Sequence, residues 1–160
     1  MDKGRINIPF DSSLTAALAL LFCLICACTV PQVIILEDTL TAEQHNDLGV
    51  IYEKKGLTDL AEKEYRKASG KREEWMVPYF NLGNLCYQSG DYSRSEIFFR
   101  RALERAPGNP DIMNNLANAL LMQGRIDEAK KMIEEALVID RKEEYLDTYR
   151  RVLEKEHRQL

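Results

Sequence analysis

The stretch NNLANALLMQGRIDEAKKMIEEAL, residues 114–137, decides the fold, because it is the last of three copies of one pattern. Set over one another at a spacing of 34 residues, Leu48-Gly49 falls on Leu82-Gly83 and then on Leu116-Ala117. Gly56, Gly90 and Gly124 share a column, as do Ala68, Ala102 and Ala136, and Ala61, Ser95 and Ala129 share another. Large residues keep their own columns: Tyr52, Cys86 and Leu120 in one, Tyr65, Phe99 and Ile133 in a second.

Each copy holds two segments of helical periodicity about 13 residues long with a Gly between them, which predicts a helix, a tight turn and an antiparallel helix. Small residues stand where the two helices must touch, Gly49, Gly83 and Ala117 on the first and Ala61, Ser95 and Ala129 on the second. The large apolar columns fill the remaining space. Gly56, Gly90 and Gly124 end helices, since glycine enters the left-handed conformation at little cost. Pro107, Gly108, Asn109 and Pro110 read as stop, turn, cap and first helical residue, and Pro78 as the start of the first helix of copy two. Thr41-Ala-Glu-Gln44 matches a capping box, which opens the first helix.

The spacing of 34, the Leu-Gly pair, the Gly seven residues later and the small residues of the second helix resemble the tetratricopeptide repeat. YFNLGNLCYQSGDYSRSEIFFRRALERAPGN, from Tyr79, carries the likeness most fully. His45 and Met113 depart from it where a large aromatic is usual, Thr58 where an aromatic is usual, and Glu73 and Arg141 where the repeat ends in Pro. The resemblance implies an all-α fold: a right-handed α-solenoid of three helix-turn-helix repeats at about 42–75, 76–109 and 110–141. Residues 142–160 place Tyr145, Leu146, Tyr149, Val152 and Leu153 on one helical stripe. The repeat register puts Arg150 and Arg151 on the Leu-Gly columns, so this segment is expected to be a capping helix rather than a fourth repeat.

The chain has 160 residues, 45% of them hydrophobic and 30% charged, with a net charge of −4. Together with the lack of a basic stripe interleaved with aromatics, this balance argues against a nucleic-acid partner. Before the repeats, residues 1–30 contain the apolar run Leu14 to Val30, and no charge occurs between Asp11 and Glu37. Such a run is a signal peptide or a membrane anchor, an N-terminal hydrophobic helix with Lys3 and Arg5 on its inward side. In a bacterium that orientation sends the repeats out of the cytoplasm. Ile25-Cys26-Ala27-Cys28 resembles a bacterial lipoprotein signal, which implies acylation at Cys28; an uncleaved span and an ordinary cleaved signal are the alternatives. Residues 31–40 form a linker.

No nucleophile motif, phosphate loop, zinc spacing or haem attachment site occurs, so the expectation is a non-catalytic protein without metal or cofactor. Cys23, Cys26 and Cys28 read as small hydrophobes of the apolar run, and Cys86 as an inert core thiol. The family resemblance implies a concave groove, lined by first helices, that holds a partner protein or an extended peptide. Projected onto this chain, its contacts are Asn46, Phe80, Asn81, Asn84, Tyr87, Asn114, Asn115, Asn118 and Met122, with Val50, Glu53, Lys54, Val77, Gln88 and Leu121 beside them. An asparagine amide both donates to and accepts from a peptide backbone, so a ladder of them grips a chain without reading its sequence. The family's carboxylate clamp is not reproduced, since Asp111, Asn114 and Asn115 stand where its third-repeat cations would. The expected role is an adaptor tethered to a bacterial envelope and serving envelope, pilus or secretion assembly. The alternative is an inner-membrane-anchored accessory subunit of a separately encoded enzyme.

Overall fold

A computed structural model describes residues 38–158. The apolar run, Cys28 and most of the linker lie outside those residues. The chain divides into two units, 1–38 and 39–160, and everything below concerns the second.

The described residues form seven helices and no strand: α1 (Ala42–Lys54), α2 (Thr58–Lys71), α3 (Met76–Gln88), α4 (Tyr92–Arg105), α5 (Pro110–Met122), α6 (Ile126–Ile139) and α7 (Glu143–His157). They pair as α1 with α2, α3 with α4 and α5 with α6, and each pair stacks on the next. The first helices also touch in sequence, α1 to α3, α3 to α5 and α5 to α7, so together they form one wall of the stack. The result is an all-α solenoid of three helix pairs closed by α7.

Local chemistry explains several of the boundaries. The Thr41 hydroxyl accepts from the Gln44 amide at 3.2 Å while Gln44 Oε1 accepts from the Thr41 amide at 2.8 Å, a complete capping box. Asn109 Oδ1 accepts from the amides of Asp111 and Ile112, with Pro110 at the first helical position. Gly56, Gly90 and Gly124 take φ values of 72°, 78° and 76°, and so terminate their helices as expected. The start of α3 differs from expectation: the helix opens at Met76, two residues before Pro78. Amides throughout the first turn lack an intrahelical acceptor, so proline fits at its third residue as well as at its first.

Close contact within pairs has a steric cause. A Cβ on Gly49 would lie 2.5 Å from the Tyr65 ring, and one on Gly83 would lie 2.5 Å from the Phe99 ring. The third pair exchanges both partners, placing Ala117 against a column occupied by Ile133, each fully buried. Ser95, the polar member of its column, donates its hydroxyl to the Gly83 carbonyl at 2.8 Å. Its oxygen is therefore buried without an unmet hydrogen bond.

Charged side chains brace the joints between pairs. Arg94 pairs with Glu62 across the first joint, and Arg125 reaches Glu96 at 2.5 Å across the second. At the same column of the third pair the charge is reversed, and Lys130 Nζ donates to Glu156 of α7 at 2.9 Å. Burial raises the Glu62 carboxyl, but hydrogen bonds and charge from Arg66 and Arg94 outweigh it and hold the group below its usual range. Glu96 shows the same balance, with burial opposed by Arg100, Gln123 and Arg125. The closing helix is fastened by Tyr145 and Lys142, which both bond to Asp111 and hold its carboxyl low.

Candidate functional site

The wall formed by α1, α3, α5 and α7 carries a row of side-chain amides joined from one helix to the next. Asn81 Nδ2 donates to Asn46 Oδ1 at 2.9 Å, and Asn115 Nδ2 donates to Asn84 Oδ1 at 2.9 Å. Asn118 Nδ2 donates to the Thr148 hydroxyl at 3.2 Å, while Arg151 donates to Asn118 Oδ1 at 2.8 Å. The helical rise sets this arrangement, because residues one period apart, shifted by one to four positions, come to face one another across a stacked joint. Gln88 adds a contact of the same kind by donating to Glu53 at 3.3 Å. Glu53 also accepts from the Tyr65 hydroxyl at 2.6 Å, and burial together with that carboxylate drives the phenol well above its usual range.

Each amide in the row has two donor hydrogens and two acceptor lone pairs, and one inter-helix bond occupies a fraction of them. The ladder therefore braces the stack and still faces outward with polar capacity. Asn81, Asn84, Asn115 and Asn118 are half-buried, as are Phe80 and Tyr87. Phe80 leans on Phe99 with ring centroids 5.8 Å apart, and Tyr87 meets Tyr92 edge-on at 5.3 Å. Both aromatics are thus held in place before any partner arrives.

Two of the expected contacts sit deeper than a groove surface. Asn114 is 1% exposed and Asn46 is 7% exposed. Asn114 Nδ2 turns to Asn115 and to Glu144 of α7, both at 3.3 Å, so this residue serves the joint with the closing helix. The arrival of α7 against α5 buries the column that the second pair leaves open at Phe80. Met122, 45% exposed, stands at the far end of the wall, and Cys28 lies outside the described residues.

A concavity of about 300 Å³ opens in this wall, lined by Asn84, Tyr87, Gln88, Phe99, Asn115, Asn118 and Arg151. A smaller one of about 220 Å³ adjoins it, lined by Leu121, Met122, Arg151, Glu154, Lys155 and Arg158. Sequence reasoning placed the asparagines and Tyr87 here but missed Phe99, which reaches in from a second helix, and Arg151 from α7. The signal for Arg151 was present in its register: a long cation in a column of Gly49, Gly83 and Ala117 cannot pack as they do.

The wall offers amide donors and acceptors, aromatic faces and one guanidinium, groups suited to recognition. Among the described residues no group of three metal-ligating side chains comes together, and no helix is long and apolar enough to cross a membrane. Cys86 is 4% exposed, and burial raises its thiol above the usual range, which keeps it protonated and unreactive. His45 is fully buried with Nδ1 2.6 Å from Glu64 Oε2, inside the first pair and away from the groove.

Models of the tetratricopeptide repeat match residues 43–70 and 87–151. The chain is a tetratricopeptide-repeat protein. Among curated relatives it is 32% identical over 77 residues to human tetratricopeptide repeat protein 6, and 38% identical over 58 residues to the TPR repeat-containing thioredoxin TTL4 of Arabidopsis thaliana. These stretches cover 48% and 36% of this chain but only 15% and 8% of the relatives. Among solved structures, the first TPR of Spaghetti (RPAP3) bound to the HSP90 peptide SRMEEVD superposes with a TM-score of 0.69 at 20% identity, covering 75% of this chain and 96% of that one. The first TPR domain of human RPAP3 gives 0.70 at 18% identity, covering 74% and 94%. The Arabidopsis OM64 TPR domain gives 0.67 at 16%, covering 71% and 95%. Tetratricopeptide repeats are protein-interaction modules, and one of these neighbours holds a peptide.

Proposed function

We propose that this tetratricopeptide-repeat protein is a non-catalytic adaptor whose wall of first helices holds an extended segment of a partner protein. The observation that carries the reading is the inter-helix amide row, Asn81 with Asn46 and Asn115 with Asn84, beside pre-positioned Phe80 and Tyr87. Fixed amides cost little ordering entropy on binding, and their remaining donors and acceptors match the alternating groups of a peptide backbone. The N-terminal apolar run and the Ile25-Cys26-Ala27-Cys28 sequence support attachment to a membrane of the bacterial envelope, with the repeats in the periplasm and a role in assembling envelope, pilus or secretion complexes.

Replacing Asn81, Asn84, Asn115 and Asn118 together with Ala is expected to abolish capture of partner proteins from envelope extracts while the helical circular dichroism signal persists. Undiminished capture would overturn the ladder reading. Replacing Cys28 with Ser is expected to release the protein from membranes if the cysteine is acylated; retention would point to an uncleaved span.

A further inference from the structure

Arg151 is a charge out of balance. Of the half-buried arginines among the described residues, Arg72 pairs with Glu43, Arg94 with Glu62 and Asp91, Arg105 with Glu104, and Arg125 with Glu96 and Glu128. Arg151 alone has no carboxylate, and its one bond is to the neutral amide of Asn118 at 2.8 Å. It is also the only charged residue lining the larger concavity, and it forms part of the wall of the smaller one. There Lys155 on α7 and Arg158, the C-cap of that helix, follow it at helical spacing, against the single carboxylate of Glu154. Although the chain has a net charge of −4, and Glu53 accepts from Gln88 beside the larger concavity, Arg151, Lys155 and Arg158 give the smaller one a local positive field next to Leu121 and Met122. A partly desolvated guanidinium without a counter-charge is the feature that a carboxylate ligand completes most favourably, through two parallel hydrogen bonds.

We infer that the groove is selective for a partner segment carrying an internal Asp or Glu side chain next to an aliphatic residue, with the carboxylate on Arg151 and the aliphatic group on Leu121 and Met122. This rests on the groove reading above and adds the chemistry of the occupant. The carboxylate belongs to a side chain rather than to a chain end, because Arg151 is the one cation shared by the two concavities, and the larger surrounds it with amides and aromatics while Lys155 and Arg158 line only the smaller. A terminal carboxylate with an acidic residue beside it asks for several.

The 160-residue chain in a mild detergent is titrated against dye-labelled Ser-Leu-Glu-Leu-Ser, capped by acetyl and amide groups, and against its Gln counterpart, with binding read by fluorescence anisotropy. The Glu peptide is expected to bind about tenfold more tightly, as one charge-assisted pair supplies. Arg151→Gln, which keeps an amide for Asn118, is expected to erase that preference, and Arg151→Lys to retain part of it. Equal affinity for the two peptides, a preference that survives Arg151→Gln, or binding of neither peptide overturns the inference. So does markedly tighter binding of the same peptide with a free C-terminus, which would make the site a terminus clamp. Loss of partner capture in the asparagine variant with no Glu preference in the parent chain keeps the groove and removes the charge. The opposite pair of results removes the ladder and keeps the charge.

Discussion

The first and third helix pairs share one pattern and hold themselves together differently. In α5 and α6 the interior is almost wholly apolar, with Ile112, Leu116, Leu120 and Ile133 all fully buried. In α1 and α2 the buried apolar set shrinks to Ala42, Ala61, Tyr65 and Ala68, and His45, Asn46 and Glu64 are buried among them. Burial raises the Glu64 carboxyl, but hydrogen bonds and charge from His45 and Lys67 outweigh it and hold the group below its usual range, at the cost of desolvating both partners. Ile51, Leu57 and Leu60 stay 42–47% exposed on the same pair. A repeat stack is stabilised by the sum of its units and joints, so units of unequal core open unequally. The difference in core predicts that the third pair with α7 anchors the stack and that the first pair opens more readily.

The sharpest break of this comparison uses one column. Leu116→Ala is expected to cost about 2–5 kcal/mol, as a fully buried leucine does. Leu48→Ala, at the half-buried equivalent, is expected to cost about 1 kcal/mol, for which only part of the transfer free energy is at stake. Urea unfolding monitored by circular dichroism measures both, and equal costs would remove the gradient.

A smaller effect probes the tight pairs. Gly83→Ala sets a methyl 2.5 Å from the Phe99 ring and is expected to cost about 1–3 kcal/mol despite alanine's better helix propensity. Adding Phe99→Ile to Gly83→Ala imitates the third pair and is expected to recover much of the loss. A double variant less stable than Gly83→Ala alone would show that the columns are not exchanged as coupled pairs.

The smallest effect is on the joints and depends on pH. Glu62, Glu96 and Asp111 all titrate below their ordinary values in the folded chain. Carboxyls depressed by folding contribute stability above their unfolded pKa and lose it as pH falls through the folded one. The thermal midpoint is therefore expected to hold from neutral pH to about pH 5 and to decline below it. Asp111→Asn, which removes the anchor of Tyr145 and Lys142, is expected to shrink the acid-side decline. An unchanged decline would place the acid sensitivity elsewhere.

Sequence alone determined the repeat, because Gly49 and Gly83 can be nothing larger beside Tyr65 and Phe99, and because turn glycines and the Thr41 and Asn109 caps act over a few residues. Such constraints are local and recur at a fixed step, which makes them legible in a linear string. It also put the asparagines on the first helices of the pairs. Only the tertiary structure decided that Asn81 reaches Asn46, that Asn114 sinks beneath α7, and that Arg151 turns back into the groove. Those outcomes depend on how one helix settles against the next, a matter of long-range packing that leaves no periodic mark. The same letter, Asn, is a rung in one copy and a buried joint in another because its neighbours across the stack differ.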